Sequence, residues 1–481
     1  MNDATTMTAR KQAIRALSDR NADAFSSWRS RNDYFHTEDE RYMRFVATSR
    51  TGRVLDLGCG NGDLLASLSP EHGVGVDFSE QTIAAAKQRH PDLEFLVGDV
   101  EDPAVLASLE EPFDLIVLSD TIGELEDVQN ALGNLHRLCH ADTRLIIAYH
   151  SQYWLPMLKL AERLGLKRPS PPQNWLNAGD IVELLDLADF EIVFCEWRQL
   201  VPARLAGLGR LINRFIAPLP FIRKLCVRSY VVVRSRRHIR PAHYSSTVLV
   251  PCRNERGNIQ GALDRIPAFC DDIEILFVEG HSSDGTWEEI QRVIAANPDR
   301  DIKALQQPGK GKGDAVRAGF DAARGDVLMI LDADLTTPPE DLPKFYDAIA
   351  RGRGEFINGS RLVYPMESEA MRFLNLIANK AFSLIFTWLL NQRFTDTLCG
   401  TKVLTRASYR KIAENRAYFG EFDPFGDFDL ILGAARLNLK VCEIPVRYRA
   451  RAYGETQISR FRHGLMLIRM TIFAFMKLKA I

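Results

Sequence analysis

RVLDLGCGNGD, residues 53–63, is the stretch from which the fold of the first half is read. An apolar run breaks into three glycines at alternate positions, Gly58, Gly60 and Gly62. Glycine permits a tight turn and brings backbone N–H groups close to a ligand. Similar apolar runs follow at GVGVD (73–77), EFLVGD (94–99), FDLIVLSD (113–120) and TRLIIAYH (143–150), separated by helical stretches such as QTIAAAKQRH (81–90). Near-continuous apolar strands alternating with helices predict a parallel sheet covered on both faces. EIVFCEWRQL (191–200) and RSYVVVR (228–234) are expected to close it as an antiparallel pair.

Three carboxylates end these strands. Asp77 stands where an acid can accept both hydroxyls of a ribose, Asp99 where it can meet an adenine edge, and Asp120 closes the fourth strand. Ligands of open α/β sheets bind beyond the carboxyl ends of the strands. The spacing G-x-G-x-G is not that of the dinucleotide folds, and a structural strand-to-helix turn explains the glycines alone equally well.

With those acids, residues 35–235 resemble a class I S-adenosylmethionine-dependent methyltransferase with a Rossmann-like sheet. The resemblance gives Asp56, Gly58, Gly60 and Gly62 to its first motif, Asp77 to the ribose and Asp99 to the adenine. Asp120 falls where that family lines the methyl-transfer centre. Methyl transfer needs chiefly alignment, so no dedicated catalytic residue is expected. His150, Tyr153 and Trp175 are candidates for the acceptor pocket, with packing or loop roles as the plainer reading.

A second alternating series begins after the basic segment SRRHIRPAHYS (235–245): STVLVP (246–251), EILFVEG (274–280), DIKALQQ (301–307) and DVLMILDAD (326–334). The last ends in Asp332-Ala-Asp334. Two carboxylates leaving a buried strand repel unless a cation joins them, and an oxygen-only pair predicts Mg²⁺ or Mn²⁺ on a diphosphate. VPCRNERGNI (250–259) brings Pro251 and Glu255, VEGHSSDGT (278–286) brings Glu279 and Asp284, and QPGKGKGDAVRAGF (307–320) brings Lys310, Lys312 and Arg317 beside glycines. A glycine-rich basic loop opening a helix suits phosphate.

Residues 245–460 resemble the family 2 glycosyltransferases, in particular the dolichyl-phosphate mannosyltransferase-like branch. The resemblance implies a GT-A nucleotide-diphospho-sugar transferase fold. It assigns Glu255, Glu279 and Lys312 to donor recognition and Asp332 and Asp334 to the metal. Arg361 of GSR (359–361), and Asp396, Gly400 and Lys402 of TDTLCGTKVL (395–404), fall to the acceptor side. FGDFDL (425–430) supplies Asp427 and Asp429, which with Arg361 form the catalytic set, helix N-terminal stabilisation being the plainer role for the two acids. RAYGETQIS (451–459) supplies Arg451 on the acceptor side, with Gly454 and Thr456. Two departures stand out: Glu279 is followed by Gly280 where the family carries paired acids, and Arg253 replaces the usual aromatic. The implied mechanism is inverting displacement. A hydroxyl acceptor would need Asp427 as base, whereas a phosphate acceptor is already anionic.

The formal net charge of −1 over 481 residues gives no footprint for nucleic acid. Eight scattered cysteines, without C-x-x-C or His/Cys ligand spacing, argue against zinc and against a disulfide framework. The polar first thirty residues and the lack of any apolar run of spanning length lead us to expect a cytoplasmic protein. Between Arg447 and Lys479 basic residues stand against one acid, Glu455, as suits an anionic surface or substrate. LNLIANKAFSLIFTWLL (374–390) carries Asn375, Asn379, Ser383 and Thr387 at every fourth residue, and FRHGLMLIRMTIFAFMKLKAI (461–481) keeps Arg462, Arg469 and Lys477 on one side. Both read as interfacial helices at a membrane, or as helices packed on protein.

The chain is thus read as two α/β domains: a polar extension (1–34), a methyltransferase domain (35–235), a linker (236–245), a glycosyltransferase domain (246–460) and an amphipathic C-terminal helix (461–481). The function expected is a peripheral membrane enzyme that binds S-adenosylmethionine and a nucleotide-sugar and glycosylates a lipid-linked or surface-glycan acceptor. The alternatives are a soluble transferase acting on hydroxyls and a non-catalytic ligand-sensing scaffold. The sequence leaves the oligomeric state open.

Overall fold

A computed structural model describes residues 7–21, 25–47, 52–167, 169–365, 373–420, 426, 428–449, 451, 453 and 460–481. The chain divides into two compact units, Met1–Ile239 with Lys479–Ile481, and Arg240–Leu478.

Unit 1 is built on seven strands: β1 (Arg53–Leu57), β2 (His72–Asp77), β3 (Glu94–Val97), β4 (Leu115–Ser119), β5 (Arg144–His150), β6 (Phe190–Arg198) and β7 (Arg228–Ser235). Their order is β3-β2-β1-β4-β5-β7-β6. The first five pair in parallel, and β7 inserts antiparallel between β5 and β6. Alternate side chains of a strand face opposite ways. Along β4, Ile116 and Leu118 enter one apolar cluster while Leu115 and Val117 enter another on the opposite face. An apolar run with no polar alternation therefore forms a strand only where both faces are covered.

Unit 2 repeats the principle with β8 (Ser246–Cys252), β9 (Ile273–Glu279), β10 (Ile302–Gln306), β11 (Val327–Ile330), β12 (Phe356–Ser360), β13 (Lys402–Thr405) and β14 (Val441–Pro445). The order is β10-β9-β8-β11-β13-β12-β14, with β10 to β11 parallel and β13 antiparallel to both β11 and β12. This is the expected pair of α/β domains, each with a mainly parallel sheet.

One detail departs from the sequence reading, and another settles a direction that it left open. Strand β11 ends at Ile330, so Asp332 and Asp334 occupy the following loop and not the extended strand. In helix Phe373–Leu390 the C-terminal part of the polar stripe turns inward: Ser383 is buried, and the Thr387 hydroxyl exchanges hydrogen bonds with Phe394. Ile377 and Leu384 stay exposed. Helix Arg460–Leu478 packs on it through Trp388 and Phe475 and leaves Leu465, Ile468 and Ile472 exposed. Among the described residues no helix is long and apolar enough to cross a membrane.

Candidate active sites

In unit 1 the chain turns at the end of β1 through glycines with left-handed φ of 77° at Gly58, 52° at Gly60 and 77° at Gly62. A Cβ at Gly58 would lie 2.1 Å from the Thr121 hydroxyl, and one at Gly62 would strike the Phe95 ring, whereas Gly60 faces open space. Asp77 holds the turn by accepting from the N–H of Gly60 at 3.0 Å and of Ser79 at 3.0 Å. A cavity of about 230 Å³ opens in front, lined by Asp56, Gly58, Gly60, Asp77, Asp99 and Asp120 among others.

Inside it, Oδ1 of Asp56 is buried with no hydrogen-bond partner among the described residues. Burial and the neighbouring Asp77 push the Asp56 carboxyl up to about 7. An orphan buried carboxylate oxygen beside an open glycine turn fits a cofactor that carries a positive sulfonium and many hydrogen-bonding groups.

Residues outside the sequence reading complete this cavity. Helix Ala9–Asn21, within the stretch read as a polar extension, places Lys11 between Asp99 and Glu101, the latter at 2.8 Å. Helix Asp33–Ala47 supplies Asp39, whose two oxygens meet the guanidinium of the fully buried Arg228 at 3.0 and 3.3 Å. Arg228 also holds the Ser119 hydroxyl at 3.0 Å and the Asp120 carboxylate. Asp120 adopts φ 62°. Loss of water would raise its pKa, but Arg228 and His150, whose Nδ1 lies 3.6 Å away, hold it well below the usual carboxylate range. A second cavity, of about 390 Å³, is lined by His150 and Trp175; Tyr153 projects into solvent.

In unit 2 the candidate residues gather at the carboxyl ends of β8, β9 and β11. Lys312 opens helix Lys312–Ala322 after Gly311, which holds φ 89°, and its Nζ lies 2.7 Å from Oδ1 of Asp332. Burial disfavours the charged form of Asp332, but Lys312, then Lys402 and Arg361, outweigh it and lower the pKa. A Cβ at Gly400 would fall 1.9 Å from Oδ2 of Asp332, so only glycine leaves that carboxylate its place. Asp334 accepts from Nη2 of Arg451 at 2.6 Å and from the Thr336 hydroxyl at 2.8 Å. Nη1 of Arg451 lies 3.7 Å from Glu255, whose carboxyl is raised by burial and by Asp334. Arg451 therefore stands with the metal and donor candidates and not with the acceptor-side residues among which the sequence reading placed it.

Among the described residues no cluster of three or more His, Cys, Asp or Glu could hold a metal alone. The Asp332–Asp334 pair nevertheless fits a hard divalent cation, which accepts one or two carboxylates when phosphate and water complete its shell.

Other candidates have internal partners. Glu279 accepts from the Ser282 N–H and, at 3.3 Å, from Gln306. Asp284 binds the N–H of Thr286 at 3.1 Å and of Arg256 at 3.3 Å, organising the loop that precedes helix Thr286–Ala296. Pro251 lies in β8 opposite Val278. Arg361 spends one edge of its guanidinium on Asp396, at 2.6 and 2.9 Å. Buried Lys402 donates to the Cys399 carbonyl. Asp429, in the first turn of helix Phe428–Arg436, pairs with Arg416 at 2.9 Å. Asp427, Gly454 and Thr456 lie outside the described residues.

The Glycosyl transferase family 2 profile matches residues 247–416, and the Methyltransferase domain profile matches residues 28–194. The chain joins a methyltransferase domain to a family 2 glycosyltransferase domain. Dolichol-phosphate mannosyltransferase of Pyrococcus furiosus is 30% identical over 218 residues, 44% of this chain and 58% of that protein. Polyprenol monophosphomannose synthase of Mycolicibacterium smegmatis is 28% identical over 229 residues, covering 46% of this chain and 83% of its own. Undecaprenyl-phosphate 4-deoxy-4-formamido-L-arabinose transferase of Pseudomonas aeruginosa is 29% identical over 221 residues, 45% and 61% respectively. Of the first of these relatives the chain therefore spans little more than half.

Two measurements test the architecture of the methyltransferase domain. Removing one partner of a buried pair strands the other charge, which costs about 3–5 kcal/mol. Arg228→Met should destabilise the domain by about that amount in denaturant titration, with part recovered in Arg228→Met/Asp39→Leu; an unchanged midpoint would contradict the pairing. For Asp56 the folded pKa exceeds the unfolded one, so the native state binds the extra proton and stability falls as pH rises from about 4 to about 7. Asp56→Asn should therefore stabilise the cofactor-free protein at pH 8 by up to about 4 kcal/mol and hardly at all near pH 4. An equal gain at both pH values would mean that Asp56 titrates normally.

Proposed function

We propose that the chain is a bifunctional enzyme. One half methylates its acceptor with S-adenosylmethionine, and the other moves a sugar from a nucleotide-sugar to a polyprenyl phosphate with inversion. The observation that carries this reading is the cluster in which Lys312 and Arg451 each hold one carboxylate of the Asp332–Asp334 pair.

Asp332 and Asp334 would hold Mg²⁺ or Mn²⁺, which neutralises charge on the departing nucleoside diphosphate. Lys312, behind a glycine-rich turn and at a helix N-terminus, is placed to bind diphosphate oxygens together with backbone N–H groups. Arg451 faces the same pair from a segment anchored by the Arg449 N–H to Thr336. Donor recognition falls to Glu255, Glu279 and the β8 and β9 loops. Asp396 fixes Arg361, which with Lys402 would supply the positive charge on the acceptor side.

The lipid-phosphate acceptor draws support from two relatives, whose names specify polyprenol and undecaprenyl phosphate. Asp429 is neutralised by Arg416, which suits a nucleophile that needs no base. The outward apolar residues of helices Phe373–Leu390 and Arg460–Leu478, beside the exposed Arg469, suit a membrane surface. In the methyltransferase domain, Asp77 orders the glycine turn for the cofactor and Arg228 orients Asp120 at the methyl-transfer end.

Sugar transfer should fall on the order of 100-fold or more in EDTA and return with Mg²⁺ or Mn²⁺, and Asp334→Asn should resist that rescue. Release of nucleoside diphosphate from a nucleotide-sugar panel, with polyprenyl phosphate as acceptor, is the readout. Full activity in chelator would make the pair structural, and transfer only to soluble hydroxyls would return Asp427 to the role of base.

A further inference from the structure

Between β6 and β7 the methyltransferase unit carries an excursion, residues 199–227, whose chemistry the cofactor site does not use. Short helical turns run through it: Leu205–Gly207, Leu208–Leu211, Ile212–Ile216 and Arg223–Leu225. Its large apolar side chains point to solvent. Leu205, Leu208, Leu211, Phe215 and Leu219 are exposed, and Phe221 is 95% exposed. Leu205 and Ala206 hold left-handed φ of 44° and 52°, unfavourable for residues with side chains, in a turn that leaves Leu205 outside.

A water-facing surface does not normally collect so many neighbouring apolar groups, and where it does they mark an interaction site. The surface continues onto helix Leu155–Arg163, which has no buried residue and exposes Met157 and Leu160. The two parts join where the Trp154 indole donates to the Leu225 carbonyl at 2.7 Å.

Charge identifies the partner. No Asp or Glu occurs between Glu196 and Glu255, whereas Arg204, Arg210, Arg214, Arg223 and Lys224 lie within the excursion. Arg210 and Lys224 are exposed among the apolar groups. Arg204 pairs with Asp33 at 2.6 Å, with both side chains more than half exposed, and such pairs are worth little. Arg223 lies 4.0 Å from buried Glu196 and stacks over Trp197, and Arg214 stacks over Phe215. Apolar side chains among which cations predominate, with Asp33 and Glu162 as acids already paired to Arg204 and Lys167, match a bilayer, whose acyl boundary takes the apolar groups while anionic headgroups take the cations.

We infer that the methyltransferase unit has its own binding surface for an anionic lipid bilayer, formed by residues 205–225 and extended by helix Leu155–Arg163. It is independent of the two helices of unit 2 to which the proposed function assigns membrane contact. The cavity that holds His150 and Trp175 is also lined by Leu155 and Leu158 of that helix, so it lies at the edge of the same surface.

Amide hydrogen exchange on the full chain tests this, with vesicles of phosphatidylcholine alone or mixed with phosphatidylglycerol. Mixed vesicles should slow exchange across 205–225 by about tenfold or more, and neutral vesicles far less. Leu208→Glu/Phe221→Glu should abolish that protection while leaving protection of 465–478 and S-adenosylmethionine binding as in the parent. Ile468→Glu/Ile472→Glu should do the reverse. Loss of protection at 465–478 alone in the parent would count against membrane contact by unit 2 and leave this inference standing. Unprotected 205–225 beside a protected 465–478 would overturn it. So would equal protection by neutral vesicles, or protection that grows with protein concentration when no vesicles are present.

Discussion

Parallel strands covered on both faces deliver their chemistry at one edge, and in each unit of this chain that edge carries carboxylates. A carboxylate at the mouth of a buried strand has little water to stabilise its charge and repels its neighbours. It needs a cation or a ligand. Both candidate sites are arrangements that meet this requirement from inside the protein: Arg228 against Asp39 and Asp120 in the first unit, Lys312 and Arg451 against Asp332 and Asp334 in the second. Asp56, whose Oδ1 finds no such partner among the described residues, is pushed toward the neutral form instead.

The two sites use this constraint differently. In the methyltransferase unit the cation is fully buried and bound on several sides, so it acts as a fixed post between β7, β4 and helix Asp33–Ala47. Its rigidity suits a reaction in which alignment does most of the work. In the glycosyltransferase unit the cations are partly exposed, with side-chain exposures of 29% at Lys312 and 26% at Arg451. Lys312 follows a glycine turn, and Arg451 reaches in from beyond β14. Partial exposure suits the exchange of a carboxylate partner for a diphosphate that the proposed donor chemistry would require.

How much of this was legible in the sequence follows from the range over which each feature is determined. The strands of both sheets announce themselves locally, because an apolar run such as LIVL in β4 has no polar face to offer water. The alternate glycines 58–62 and the acids 332 and 334 are likewise short-range patterns. Arg228 was not legible as a site residue. Its partner Asp39 lies 189 positions away, and nothing in RSYVVVR distinguishes its arginine from a strand end. Lys11 was hidden in the same way, within a stretch polar enough to be read as an extension. The stripe of Asn375, Asn379, Ser383 and Thr387 was visible, but its direction was not. Only tertiary packing decides that Ser383 is buried and that Thr387 meets Phe394, leaving Ile377 and Leu384 outside.

The proposed function requires the chain to hold two separate ligand sites, one metal-dependent and one not. Calorimetric titration of the full chain with S-adenosylmethionine and with nucleoside diphosphates, each with and without Mn²⁺, measures this directly. We expect S-adenosylmethionine to bind in EDTA and to lose affinity in Asp77→Ala alone. A nucleoside diphosphate should bind only with the metal present, and should lose affinity in Asp334→Asn alone. Nucleotide binding of equal strength in EDTA, or loss of both ligands in either variant, would contradict it.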